Sequence, residues 1–318
     1  MPDTIRGMPP AALPNSRMRL DAVRPTRKVR PQRTVIYGIE SIGKSSMAAT
    51  APSPIFIAAE EGLSEIEAQA FPEPKTMDEV YEALAFLATA KHEYKTLVVD
   101  TLDWMEPLLT DRLCKRNGWD TIESPGYGKG HAALPDEWRI FLSRLDDLRR
   151  TKEMEIILLA HCAIKPFGNP TGHDYSRYEL NLHKNAAPLI RQWADCVLFL
   201  AYDDRAVAVG EGKRSKVKGV SSGNRVIHTE HTAAFDAKNR YGLPPELPLD
   251  TWTEFARARA KGLAIDVDEV FAASKELVAR LKMDEGALVY LETIKTQPHD
   301  LLLAYNRLKV KAVEAGLE

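Results

Sequence analysis

Five short runs constrain this chain most: TVIYG (34–38), PIFIAA (54–59), TLVVD (96–100), EIILLA (155–160) and CVLFLAY (196–202). Each is apolar almost throughout rather than alternating, so each needs cover on both faces. Segments with helical periodicity lie between them: one from Lys44, one around MDEVYEALAFLATA (77–90), one around LPDEWRIFLSRLDDLRR (134–150) and one around NAAPLIRQWA (185–194). Strands alternating with helices predict an α/β fold with a mainly parallel central sheet flanked by helices. With 318 residues, 44% hydrophobic and 28% charged, the chain can bury one large or two modest cores.

Outside that frame the texture changes. Residues 1–33 lack periodicity and carry several prolines; from Arg17 to Arg33 they hold seven basic residues against one acidic, Asp21, which predicts a flexible basic arm. Residues 206–242 read as a flexible basic loop followed by a strand or hairpin. The prolines of LPPELPLD (243–250) mark a boundary, so a core over 34–250 is predicted, with a helical appendage over 251–318. The net charge of −2 gives no global basic field to advertise nucleic acid, and only local patches can do so. Cys114, Cys162 and Cys196, odd in number and without a CxxC pair, fit small buried thiols in a reducing compartment. No apolar run approaches a membrane span and the N-terminus shows no signal-peptide core, so the cytoplasm is expected. HTEH (228–231) has metal-like spacing for a helix, but it falls on a predicted strand without a third ligand, and no metal is assigned there.

Chemistry enters with VIYGIESIGKSS (35–46). Gly38, Gly43, Lys44 and Ser45 satisfy G-x-x-x-x-G-K-[ST] between a strand and a helix, the pattern in which backbone N–H groups cradle phosphates. The cradle comprises Gly38, Ile39, Glu40, Ser41, Ile42, Gly43, Lys44, Ser45 and Ser46. Lys44 would reach the terminal phosphates of ATP, and Ser45 would ligate Mg²⁺. Asp100, closing TLVVD, can complete the Mg²⁺ shell. PIFIAA delivers Glu60 and Glu61 to the same crevice, and Glu60 is the candidate to activate water. EIILLA delivers His161, which can sense the terminal phosphate.

These motifs, in this order, resemble the RecA-like class of P-loop ATPases over roughly residues 34–250, and most closely the phage ATP-binding proteins of the Sak-type single-strand annealing group. FIAAEEGL is similar to the RecA segment that carries the catalytic glutamate, which falls on Glu60. LLAH resembles the strand end that carries the phosphate sensor, glutamine in RecA and His161 here. The resemblance makes ESPGYGKGHAAL (123–134) and IKPFGNPTGHDYSRYELNLHK (164–184) the two DNA-binding loops. Both suit single strands: Lys129, Lys165, Arg177 and Lys184 offer phosphate contacts, while Tyr127, Phe167, Tyr175 and Tyr178 offer faces for base stacking. AKNRYG (237–242) is similar to the KNRFG-type motif of RadA and to the fingers of DnaB-like helicases, which makes Lys238 and Arg240 trans-acting catalytic residues.

The resemblance therefore implies an ATPase that uses ATP and Mg²⁺, binds single-stranded DNA and promotes annealing or recombination in a bacterial host cytoplasm. It implies a ring or filament of identical subunits with nucleotide sites at their interfaces, and a single-strand-binding protein as a further partner. Two other readings stand beside it: a nucleotide-switched DNA-binding or assembly module that does not cycle, and a DnaB-like helicase. The basic residues between Arg205 and Arg225 add a third DNA contact or a solvated loop.

Overall fold

The computed structural model describes residues 30–60, 62–63, 65–209, 216–262 and 267–296, together with 301, 304–305, 307–309, 311–312 and 315. Most of the predicted basic arm, up to residue 29, lies outside the described residues, as does Glu61.

The described chain runs β1 (Arg33–Gly38), α1 (Lys44–Ala49), β2 (Pro54–Ala58), β3 (Gln69–Ala70), α2 (Met77–Thr89), β4 (Thr96–Asp100), α3 (Leu102–Asn117), α4 (Lys129–Thr151), β5 (Glu155–Phe167) and β6 (Tyr175–Leu180). It continues through α5 (Ala187–Trp193), β7 (Cys196–Val209), β8 (Lys216–His228), β9 (Glu246–Pro248), α6 (Trp252–Gly262), α7 (Val267–Arg280) and α8 (Glu285–Ile294). Among these strands the sheet order is β3-β2-β4-β5-β1-β7-β8-β9, with β6 paired to β5. Pairs among β1, β2, β3, β4, β5 and β7 are parallel, whereas β6, β8 and β9 join antiparallel. The predicted mixed α/β fold with a mainly parallel, helix-flanked sheet is the observed one.

Side-chain alternation explains the uniformly apolar runs. Val35, Tyr37, Ile57, Val99, Leu158 and Phe199 point to one face, where α2, α3, α4 and α5 bury them beside Trp138 and Phe141. Their neighbours Ile36, Phe56, Val98, Ile157 and Leu198 point to the other, under Met47 of α1 and Trp252 and Phe255 of α6. A smaller third cluster joins Phe271, Val278, Leu291 and Ile294 of α7 and α8. No helix among the described residues is long and apolar enough to cross a membrane.

Three predictions change. Helix α4 starts at Lys129, five residues ahead of the predicted 134, because Gly130 lets the first turn press on the preceding loop: a Cβ there would lie 1.9 Å from the Ile122 carbonyl oxygen. Pro135 sits inside the helix. The segment 164–184, predicted as a loop, is largely a β-hairpin, since β5 runs on to Phe167 and pairs with β6 from Cys162↔Leu180 to Phe167↔Tyr175. The predicted basic loop after Ala206 is likewise mostly the β7–β8 ladder, paired out to Val209↔Lys216, with 210–215 outside the described residues.

Candidate nucleotide site

The strand order decides where chemistry can gather. β1 lies between β5 and β7, while the chain leaving β1 crosses to β2, on the far side of β5 and β4. A crevice opens at such a switch, outside the carboxyl ends of the strands. Gly38 closes β1 in register with His161 of β5, Asp100 closes β4, and Glu60 follows β2. A cleft of about 900 Å³ results, lined by Ile39, Glu40, Glu60, Asp103, Trp104 and His161 among others.

The loop between β1 and α1 is shaped by backbone that ordinary residues avoid. Ser41 has φ 56°, and Gly43, with φ 110°, delivers the chain into α1 at Lys44. Gly43 also leaves room for Arg225: a Cβ there would lie 2.8 Å from its guanidinium, which donates to the Ile42 carbonyl oxygen at 3.1 Å. Lys44 is buried, its ammonium donating to the carbonyl oxygens of Ile39 at 2.9 Å and Gly38 at 3.4 Å. Burial pulls its pKa below the usual lysine range, against the opposing pull of Asp100 and Asp103. The Ser45 hydroxyl donates to Asp100 Oδ2 at 2.7 Å. Burial raises the Asp100 carboxyl above its ordinary value, with the Ser45 hydrogen bond and Lys44 acting the other way.

Partly buried Glu60 is also raised by desolvation, with His161 opposing. His161 is gripped by Asp103, whose Oδ1 accepts its backbone N–H at 2.9 Å while Oδ2 meets ring Nδ1 at 2.7 Å. Lys44, Ser45, Asp100, Glu60 and His161, picked from the sequence, therefore gather at one end of the sheet.

A buried lysine aimed at loop carbonyls, glycine where the backbone must turn, and hard oxygen donors from Ser45 of α1 and Asp100 at the end of β4 form a phosphate-and-magnesium donor set. A family model described as an AAA domain matches residues 30–241, two thirds of the chain. The chain belongs to this family. A comparison with curated proteins finds none that matches. The AAA-domain family consists of P-loop ATPases, and the match covers β1 through β8 with the whole cleft. In an AAA-domain protein built this way, Gly43→Ala is expected to weaken nucleotide binding by about tenfold, because φ 110° strains any side chain and Arg225 must withdraw. Titration with a fluorescent ATP analogue measures the loss.

The other candidates fall into separate places. Tyr127 is fully exposed, held at φ 50° between Gly126 and Gly128, and exposed Lys129 follows it. Phe167 and Tyr175 pair across the hairpin with ring centroids 5.1 Å apart, and Lys184 is exposed beyond it. Tyr178 stacks on core Phe199, with centroids 5.2 Å apart, which occupies one face of its ring. Two predicted DNA contacts are spent inside the fold. Arg177 is buried, paired with Glu179 and Asp236 and stacked on Phe167. Lys165 donates to the carbonyl oxygens of Leu180 and Leu182 at 2.9 and 2.6 Å.

Lys238 and Arg240 lie toward the opposite end of the sheet. Lys238 bridges to Val197, which is level with Val35, three residues before Gly38 and so about 10 Å down the strand. Its ammonium caps α5, donating to the carbonyl oxygens of Arg191, Gln192 and Ala194. Arg240 is exposed, 3.5 Å from Asp195. Arg205 and its basic neighbours fall outside the described side chains up to residue 222, leaving Arg225 as the described basic residue of that stretch.

Sequence reasoning passed over Asp103 and Trp104, and took Arg225 only as the end of a basic loop. Asp103 carried a signal, an acid in the first turn after TLVVD. Trp104 is an aromatic that α3 leaves 53% exposed at the cleft rim. Arg225 carried none, since only the β7–β8 pairing brings it to the loop.

Proposed function

We propose that this protein is an oligomeric ATPase of the Sak type, stimulated by single-stranded DNA, that promotes annealing or recombination. One observation carries the reading: the nucleotide cleft and the hairpin share a strand. β5 pairs in parallel with β1 through His161 and continues into the antiparallel ladder at Cys162. A change at the terminal phosphate would meet His161 and tilt the hairpin that follows it.

In the proposed reaction a water oxygen bonds to the terminal phosphorus as the bond to the bridging oxygen breaks, releasing ADP. Glu60 takes the proton, and its raised pKa favours that role. Lys44 holds the outer phosphates. Ser45 and Asp100 would hold Mg²⁺, which when bound neutralises phosphate charge. DNA would meet Tyr127, Lys129, Phe167, Tyr175, Lys184 and the open face of Tyr178. Arg240 is the trans-acting candidate, because it is exposed toward the end of the sheet away from its own phosphate loop. Lys238 supports it by anchoring the motif on α5.

The test is ATP hydrolysis without DNA, with single strands and with duplex, for the wild type and Glu60→Gln. The expected result is stimulation by single strands and a loss of about 100-fold or more in Glu60→Gln with nucleotide binding retained. Hydrolysis indifferent to DNA would remove the coupling. Annealing undiminished in Glu60→Gln would favour the non-cycling switch.

A further inference from the structure

Asp103 has no task in the reading above, yet it spends both carboxylate oxygens on His161, at 2.9 and 2.7 Å. It belongs to the first turn of α3, three residues beyond Asp100. The two side chains are 10% and 19% exposed, so the pair stands largely out of water. Such a grip fixes the ring's rotation and keeps a proton on Nδ1. Among the described residues Nε2 has no hydrogen-bond partner, and the ring lines the cleft beside Ile39, Glu40 and Glu60.

Nε2 then has two states. With the proton fixed on Nδ1, a neutral ring presents a lone pair at Nε2, whereas an imidazolium presents an N–H. Ionised phosphate oxygens accept hydrogen bonds and donate none. Only the charged ring can therefore bond a terminal phosphate.

We propose that Asp103 is a positioning residue that holds His161 as an imidazolium with Nε2–H facing the cleft, so that preference for a nucleoside triphosphate over its diphosphate depends on that proton. This rests on the nucleotide-site reading above. The groups around the ring are Asp103 of α3, Lys44 of α1, Glu60 after β2, Asp100 at the end of β4 and neighbouring Cys162. The Asp103 hydrogen bond, the largest influence, raises the His161 pKa; burial and Lys44 oppose it. For Asp103 burial acts upward, and the His161 hydrogen bonds overcome it and lower the pKa. A raised imidazole keeps its proton below the raised value and loses it as pH climbs through that value, so triphosphate preference must fade with rising pH.

The experiment measures ATP and ADP affinities from about pH 6 to about pH 9, with the His161 ring titrated in parallel by NMR with and without nucleotide. In the wild type the ATP-to-ADP preference should drop by about tenfold or more, with a midpoint matching the ring's. Asp103→Asn should move both midpoints down by about one pH unit. His161→Gln, whose amide donates at every pH, should give a flat profile and covers the case in which Asp103→Asn fails to fold. A flat wild-type preference, or an unmoved ring titration in Asp103→Asn, overturns the proposal while both nucleotides still bind. Failure of both nucleotides to bind overturns the nucleotide-site reading as well.

Discussion

Arg259→Ala is expected to cost about 3–5 kcal/mol of stability, because it removes one half of a buried ion pair. Arg259 of α6 donates to Glu155 Oε1 at 2.9 Å, with side chains 2% and 6% exposed. Its guanidinium also lies over the rings of Tyr241 and Phe255, each 5.9 Å away. Truncation leaves a carboxylate at the foot of β5 without that cation, in a place largely withdrawn from water. Replacing both partners with apolar residues of similar volume removes the desolvation problem, so Arg259→Met with Glu155→Leu should recover most of the loss. Urea unfolding of the three proteins measures it, and a loss below about 1 kcal/mol in Arg259→Ala would put the pair in the class of surface bridges.

The second large effect concerns assembly. On the proposed oligomeric function, Lys44→Ala and Arg240→Ala should each lower ATP hydrolysis by about 1,000-fold, the first by unseating the outer phosphates and the second by removing the proposed trans-acting cation. Mixing and re-annealing the two inactive proteins is then informative. In a random equal mixture about one interface in four joins an intact Lys44 to an intact neighbouring Arg240. Activity should therefore return to roughly a quarter of wild type. A mixture as inactive as its components would place Arg240 outside the nucleotide chemistry and leave its role to its contact with Asp195.

The parallel sheet was legible because burial on both faces writes one unmistakable pattern, and the phosphate loop because its glycines and lysine have few other uses. Helix α3 was not recognised although Leu102, Met105, Leu109 and Leu113 recur at helical spacing around an internal Pro107. Val207, Val209, Val217 and, after Gly219, Val220 place β-branched residues through a stretch that its charge and glycine made look like loop. Arg177 shows the opposite limit. Its charge was plain, but only the fold brings Asp236 within reach and turns a surface contact into a buried tie. Sequence reveals which groups are available, and long-range pairing decides which of them are already spent.

β5 belongs to two ladders at once, and this divides the molecule's freedom to change. Between His161 and Cys162 the backbone passes from core to hairpin with no connecting segment to absorb an error. One residue added there would exchange the two faces of everything beyond it. The seven residues of the tip, 168–174, lie outside the ladder and tolerate new lengths and new chemistry. The hairpin thus joins an interchangeable tip to a fixed shank, so its outer surface can be rebuilt without disturbing the sheet it grows from.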